Sequence, residues 1–334
     1  MPRQQLLIVS PASARENNGN WQTASRWARF LRSRYRVAIA PDWDSTVAAP
    51  ELMIALHARR SAPALAAFAQ AHPQRPRALV LTGTDLYRDI ADNREAQQSL
   101  RLAHALVLLQ GAGLAQLAPP LRSKARVIHQ SAPALAPHMR AGAPRHLDII
   151  MVGHLRAEKD PLTFMRAACL VTHPRARLLH VGAALDPVLG RQAAQTAAAT
   201  PRYQWLGALA HGAARQRLRR SHAMVIASTM EGGANVIIEA VTCAVPVLAS
   251  DISGNRGMLG DDYAGYFAPG DAAALSRLIE RSLADSAFYT LLRRQCAARA
   301  ALFAPATERA AVLELVDNLL HSESATAHCD LLQP

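Results

Sequence analysis

Between Ala223 and Asp251 the chain reads AMVIASTMEGGANVIIEAVTCAVPVLASD, and few folds can take such a stretch. Met224 to Ala227 is an apolar run of strand type, Glu231-Gly232-Gly233-Ala234-Asn235 is turn chemistry, and Val236, Ile237, Ala240 and Val241 then recur at helical spacing. Pro246 cannot continue a helix, and Val245 to Ala249 resumes a buried strand. Strand, glycine turn, helix and strand are the repeating parts of an open α/β sheet, which binds its ligand above the carboxyl ends of its strands. Glu231 in the turn and Glu239 on the first helical turns can both line that cleft.

A helix start preceded by two glycines offers backbone N–H groups and a positive dipole end, which suits a phosphate. Two acceptor-only carboxylates beside an anion would repel it, unless the ligand also brings hydroxyls. A sugar nucleotide supplies both: one glutamate takes a ribose diol, the other takes hexose hydroxyls, and the diphosphate lies over the glycine turn. Taken alone, the two glutamates would be a turn residue and a favourable acidic residue near a helix start. The flanking strands and the Gly-Gly turn weigh against that plainer reading.

At 334 residues, half of them apolar, the chain has material for about two domains. Strands are expected at Gln5–Ser10, Val37–Ala40, Met53–Leu56, Leu79–Leu81, Ala105–Leu109 and Val127–Gln130. The first is followed by a loop from Pro11 to Asn20 and a helix from about Trp21 to Ser33, so Gly19, Asn20 and Thr23 stand at a second helix N-terminus, beside the turn residues Asn18-Gly19-Asn20. His57 closes the third strand, and Thr84-Asp85 follows the fourth in a glycine turn. Gly111-Ala112-Gly113 imitates a dinucleotide fingerprint but has Gln116 for its third glycine, and is set aside.

The stretch from Ser131 to Arg145, with Pro133, Pro137 and Pro144, reads as an interdomain linker. Strands then restart at Leu147–Val152, Leu178–Val181 and Tyr203–Leu206, a basic helix runs from Ala213 to Ser221, and Asp251 to Asn255 reads as a polar loop above a strand. The expected domains are residues 1–140, 145–306, a last amphipathic helix at 307–321 and a frayed tail at 322–334.

The formal charge is +12, with 37 Lys+Arg against 25 Asp+Glu, yet only Lys124 and Lys159 are lysines. Such an arginine excess is weak support for a nucleic-acid module, and aromatics at 5% with no zinc or helix-turn-helix signature weigh against one; acidic small substrates fit better. Four scattered cysteines show no metal spacing, and no apolar run is long enough for a membrane span or a signal peptide. The expectation is a soluble cytoplasmic protein with small-molecule partners, no nucleic acid, no membrane, no metal and no cofactor, a homo-oligomer being left open.

STMEGGANVIIEA followed by VPVLASD resembles the donor segment of the retaining, GT-B fold glycosyltransferases of family 4. NNGNWQTASRWARFL, LHARRSAPAL, LTGTDLYRDI and VGHLRAEKDP, in that order, resemble the selenosugar synthases of selenoneine biosynthesis, a branch of that superfamily. The resemblance implies a GT-B fold of two doubly wound Rossmann-like α/β domains facing across a cleft, with the last helix returning to the first domain.

It further implies a transferase joining the selenium of selenophosphate to the sugar of a UDP-sugar, UDP-N-acetylglucosamine above all, with release of UDP. An ordinary glycosyltransferase acting on a hydroxyl acceptor is the alternative, and a nucleotide-sugar 2-epimerase is a more distant one.

In such relatives an arginine after the glycine of the first strand of the second domain, and a lysine five residues on, grip the diphosphate. Here Gly153 is followed by His154, and Lys159 matches the lysine; either His154 or Arg156 takes the arginine's part. The implied donor set is Gly153, His154, Glu231, Gly232, Gly233, Ala234, Asn235 and Glu239, with Lys159, Arg156 and Glu231 catalytic. The acceptor set is Gly19, Asn20, Thr23, His57, Thr84 and Asp85. Many relatives carry a His-Asp pair where this chain has Thr84-Asp85, so a general-base histidine is missing at that position. Ala244 stands where they end the helix with glycine; a left-handed alanine would cost about 1 kcal/mol, which points to a different turn.

Overall fold

The computed structural model describes residues 3–13, 19–138 and 145–329, with the backbone alone for 322–329. Asn18, residues 139–144 of the expected linker and the last residues of the expected tail lie outside them. The chain divides into two compact units, Met1–Gln130 with Pro305–Pro334, and Ser131–Ala304.

In the first unit the described strands are β1 (Gln5–Val9), β2 (Arg36–Ala40), β3 (Leu52–Leu56), β4 (Arg77–Leu81), β5 (Ala105–Leu108) and β6 (Ala125–Val127). They form one parallel sheet in the order β2-β1-β3-β4-β5-β6. Helices α1 (Gly19–Leu31), α2 (Ala62–Ala71), α3 (Ile90–Asp92), α4 (Arg94–Leu102) and α5 (Pro119–Arg122) complete this part of the chain. Because side chains alternate across a strand, continuous apolar runs feed a core on each face. Leu6, Ile8, Leu52 and Ile54 pack with Trp27 and Leu31 of α1, while Leu7, Val9, Met53 and Ala55 pack with Leu65 and Phe68 of α2.

The second unit repeats the plan with β7 (Leu147–Val152), β8 (Ala176–Val181), β9 (Tyr203–Trp205), β10 (Ala223–Ile226), β11 (Val247–Ser250) and β12 (Tyr266–Phe267). Its order is β12-β11-β10-β7-β8-β9, again all parallel. Its helices are α6 (Pro161–Leu170), α7 (Pro187–Ala199), α8 (His211–Arg219), α9 (Asn235–Thr242), α10 (Ser253–Leu259), α11 (Ala272–Ala284) and α12 (Ser286–Arg299). The chain then rejoins the first unit as α13 (Pro305–Cys329), whose Val312, Leu315 and Val316 are buried in the core beneath α1.

Several boundaries differ from the sequence expectation. Helix α1 begins at Gly19, not near Trp21, and α8 at His211, not Ala213; the start of α8 carries no side-chain cap to announce it. The polar loop expected at Asp251–Asn255 becomes helical from Ser253. Helix α13 runs on past the last periodic apolar residue to Cys329, through the stretch read as frayed.

Ala244 also departs from expectation. It takes the left-handed conformation after all, at φ 58°. The Val245 N–H donates to Ala240 O at 2.9 Å and the Ala244 N–H to Val241 O at 3.0 Å, the paired bonds of a Schellman helix end. Pro246 then delivers the chain into β11.

Among the described residues no helix is long and apolar enough to cross a membrane, and Cys169, Cys243 and Cys296 are free thiols.

Candidate active site

A parallel sheet opens a crevice where the connections of two neighbouring strands leave toward opposite sides. In the second unit that point lies between β7 and β10: the chain runs from β7 outward to β8 and β9, and from β10 outward the other way to β11 and β12. The segments leaving the carboxyl ends of these two strands therefore meet.

The β7 segment is held from below. Leu155 N–H donates to Ala183 O at 2.8 Å, and the Ala183 N–H donates to His154 Nδ1 at 3.0 Å. A Cβ on Gly182 would lie 1.9 Å from Gly153 O, so this close approach admits no side chain. Accepting at Nδ1 leaves the neutral ring its proton on Nε2, as a donor. Burial, then the charges of Arg156 and Lys159, hold the His154 pKa below its ordinary value, which keeps the ring neutral. Lys159 closes a short 3₁₀ turn; Asp160 follows at φ 43° as the N-cap of α6, accepting from the Thr163 N–H at 3.3 Å, and Pro161 opens the helix.

The β10 segment brings the acidic partner. Lys159 Nζ donates to Glu231 Oε1 at 2.5 Å, and Ser228 Oγ donates to the same oxygen at 2.6 Å. Both charged side chains are mostly shielded, 18% exposed for Lys159 and 10% for Glu231. Beneath them runs a buried polar chain: Ser250 Oγ donates to Ser228 O at 2.6 Å, and Asn255 Nδ2 to Ser250 O at 2.9 Å. Gly254 makes room for the turn, since a Cβ there would lie 2.0 Å from Glu231 O. Gly232 and Gly233 lead to Ala234, the N-cap of α9, which makes no side-chain cap. Asn235 is the first residue of that helix, whose first-turn N–H groups receive no bond from a capping side chain.

Glu239 lies on α9 and pairs with His211, the first residue of α8: Nε2 and Glu239 Oε1 are 2.6 Å apart. Hydrogen bonding to Glu239 raises the His211 pKa, against burial. Arg156 is exposed, and its charge acts on His154.

The first unit places its residues in two groups. At the end of β3, His57 sits at φ 74° with its side chain 3% exposed. Its Nδ1 accepts from the Arg60 N–H at 3.3 Å and its Nε2 lies 3.1 Å from Thr84 Oγ1. Burial holds its pKa below the ordinary value, despite Asp85 and Asp89, so the ring is neutral with its proton on Nε2. Asp85 accepts from the N–H groups of Thr82 at 2.9 Å, Gly83 at 2.8 Å and Ala58 at 2.9 Å, and so ties the end of β4 to the end of β3. The second group is the start of α1, where Thr23 Oγ1 donates to Gly19 O at 2.8 Å and accepts from Gln130 Nε2. Thr23 and Asp85 are thus fully engaged with protein groups, and they shape these loops.

The structure brings Lys159 and Glu231 into direct contact, with Gly153 and His154 on the same segment as Lys159. Sequence reasoning missed Ser228, Ser250 and Asn255, whose polar chain depends on strand order, and Gly254 and Gly182, whose need is a close backbone approach. His211 also goes unmarked in the sequence, because its helix starts without a side-chain cap.

Residues 143–303 match the family model described as Glycosyl transferases group 1. No curated protein matches the chain. Among solved structures, HepE of Anabaena in complex with UDP and glucose is similar at a TM-score of 0.77 and 16% identity, covering 94% of this chain and 100% of its own. Sucrose-phosphate synthase of Thermosynechococcus elongatus gives a TM-score of 0.74 at 17% identity over 96% of this chain and 100% of its own. A glycosyltransferase of Rickettsia africae gives 0.72 at 14% identity, with 96% and 99% covered. At these identities the likeness shows the fold, and that fold is GT-B.

Proposed function

We propose, from the match of residues 143–303 to the group 1 glycosyltransferase model, that the chain is a selenosugar synthase, which moves the sugar of UDP-N-acetylglucosamine onto the selenium of selenophosphate. The second unit takes the donor. The first turn of α9, with Lys159 and either His154 Nε2–H or Arg156, receives the diphosphate; Glu231 takes hexose hydroxyls and Glu239 the ribose diol. HepE, solved with UDP, supports the choice of nucleotide.

Selenium attacks the anomeric carbon, a C–Se bond forms, the C–O bond to the diphosphate breaks, and UDP leaves with that electron pair. The charge gathering on the departing oxygen is what Lys159 and the α9 N–H groups stabilise. No cofactor or metal takes part in this reading.

The observation that favours selenium over a hydroxyl is the state of His57. A hydroxyl acceptor needs a base to take its proton. His57 stands beside Thr84, where relatives carry their histidine, but its Nδ1 is occupied by the Arg60 N–H and its Nε2 carries the proton. It donates, and cannot accept. Selenophosphate arrives already ionised and needs no base, while its phosphoryl group suits the N-terminus of α1 at Gly19 and Asn20.

The test is to incubate the protein with UDP-N-acetylglucosamine with and without selenophosphate, and to follow UDP release and the selenium-bearing sugar by mass spectrometry. UDP release should depend on selenophosphate and slow in Asn20→Ala. Release that ignores selenophosphate would transfer the assignment to a glycosyltransferase using a hydroxyl acceptor.

A further inference from the structure

His211 opens α8, yet its own helix gives no reason for a histidine there. Ala210, the N-cap, offers no side-chain bond. An imidazolium in the first turn also faces the positive end of the helix dipole, so the element itself disfavours the charged ring. Its side chain is 49% exposed, which leaves a pairing with Glu239 little to contribute to folding. The pair is nevertheless close, at 2.6 Å, and the Glu239 end is sheltered at 12%.

The charged groups around the ring are few. Glu239 reaches it from α9, and Arg215 acts on it from one turn along α8. Arg215 also influences the Cys243 thiol at the end of α9, which burial pushes up and keeps protonated. Strand β7, also packed on α8, brings Asp148, which is already held by Arg177 at 2.7 and 3.0 Å.

We infer that His211 is a positioning residue for the donor: it holds the Glu239 carboxylate in one orientation and offsets its charge where an anionic nucleotide sugar comes to rest. The inference rests on the reading of Glu239 as the acceptor of the ribose diol. A carboxylate in that role also repels the diphosphate beside it. A cation bound at Oε1 reduces that repulsion and leaves Oε2 for the diol. The direction with pH follows. The bond to Glu239 raises the His211 pKa, so the ring is charged below that raised value and loses its charge as the pH climbs through it. Donor affinity therefore falls with rising pH.

The probe is UDP-N-acetylglucosamine, both of whose phosphates are esterified and have no proton to lose near neutrality. Its affinity is measured by calorimetry from about pH 6 to about pH 8.5 for the full chain and for His211→Gln, His211→Lys and Glu239→Gln. Wild-type affinity should fall about five- to tenfold over this range. His211→Gln keeps a hydrogen bond without a charge and should bind weakly and evenly at all pH values. His211→Lys, permanently charged, should recover the affinity at the alkaline end. A merely structural histidine would move every pH value alike and show no rescue by lysine. If His211→Gln follows the wild-type profile while Glu239→Gln binds weakly, the inference is overturned and the donor reading stands. If Glu239→Gln binds as wild type does, or wild type does not bind the probe, the donor reading fails and takes the inference with it.

Discussion

Under the proposed function Lys159 has two tasks, and measurement can separate them. Its ammonium donates to Glu231 at 2.5 Å, so the diphosphate of the proposed donor would compete for a charge already engaged. An ammonium has three donors, and the two not given to Glu231 can turn to phosphate oxygens as charge builds on the leaving group. Its contribution therefore grows between the bound state and the transition state. Lys159→Ala should lower kcat by about a hundredfold or more while weakening donor binding only about tenfold, the signature of an interaction made chiefly in the transition state. Steady-state kinetics beside equilibrium titration with the nucleotide sugar reads both numbers; turnover within a few fold of wild type would reduce Lys159 to a structural partner of Glu231. Lys159 could be picked out of the sequence because the chain has so few lysines, and Glu231 because it stands in a glycine turn. Their pairing could not, since they are 72 residues apart and only the adjacency of β7 and β10 brings them together.

At the scale of elements, local signals were legible where they were periodic or forbidding. The run from Met224 to Ala249 declares its strand, turn, helix and strand through apolar spacing and Pro246, and the parallel sheet follows from it. The start of α8 has no capping side chain, so neither it nor His211 is legible in the sequence. The end of α9 shows a third case, in which the fold overrides a residue's preference. Ala240, Val241, Ala244 and Val245 make both Schellman bonds, and the packing of Ile237, Ile238 and Val241 holds the helix end in place. Ala244 bears the left-handed strain as a result, at φ 58°. Glycine suffers no such penalty, although it costs entropy in the unfolded chain. Ala244→Gly should thus raise the stability of the second unit by about 1 kcal/mol, seen as a rise of about 2–4 °C in its thermal midpoint. An unchanged or lowered midpoint would mean that the turn is not strained.

At the scale of the whole chain, the first unit is assembled from two distant segments, joined by Asp317, which accepts from Arg34 and Tyr35, and by the buried carboxylate of Glu308. Glu308, in the first turn of α13, is buried and accepts from Arg26 Nε at 2.7 Å and from Trp27 Nε1 at 2.8 Å, both on α1. The neighbouring turns of α13 add Val312, Leu315 and Val316 to the core formed by α1 and β1. The amphipathic pattern after Thr307 announced a helix, but the helix it meets lies some 280 residues earlier, so Glu308 could not be paired from the sequence. Removing it leaves a guanidinium only 13% exposed and an indole N–H without their acceptor. Breaking a buried pair from one side costs about 3–5 kcal/mol, because the remaining charge is stranded. Glu308→Ala should therefore unfold the first unit at distinctly lower denaturant, while Glu308→Gln, which keeps an acceptor, should lose less. Every residue of the proposed donor site lies within Ser131–Ala304, so UDP binding by Glu308→Ala should persist at denaturant concentrations where the first unit has already melted. Denaturant titration followed by near-UV circular dichroism, with UDP binding measured in parallel, distinguishes the outcomes. A loss below about 1 kcal/mol would assign the docking of α13 to its apolar face and Asp317. Simultaneous loss of structure and binding would show the two units unfolding as one cooperative body.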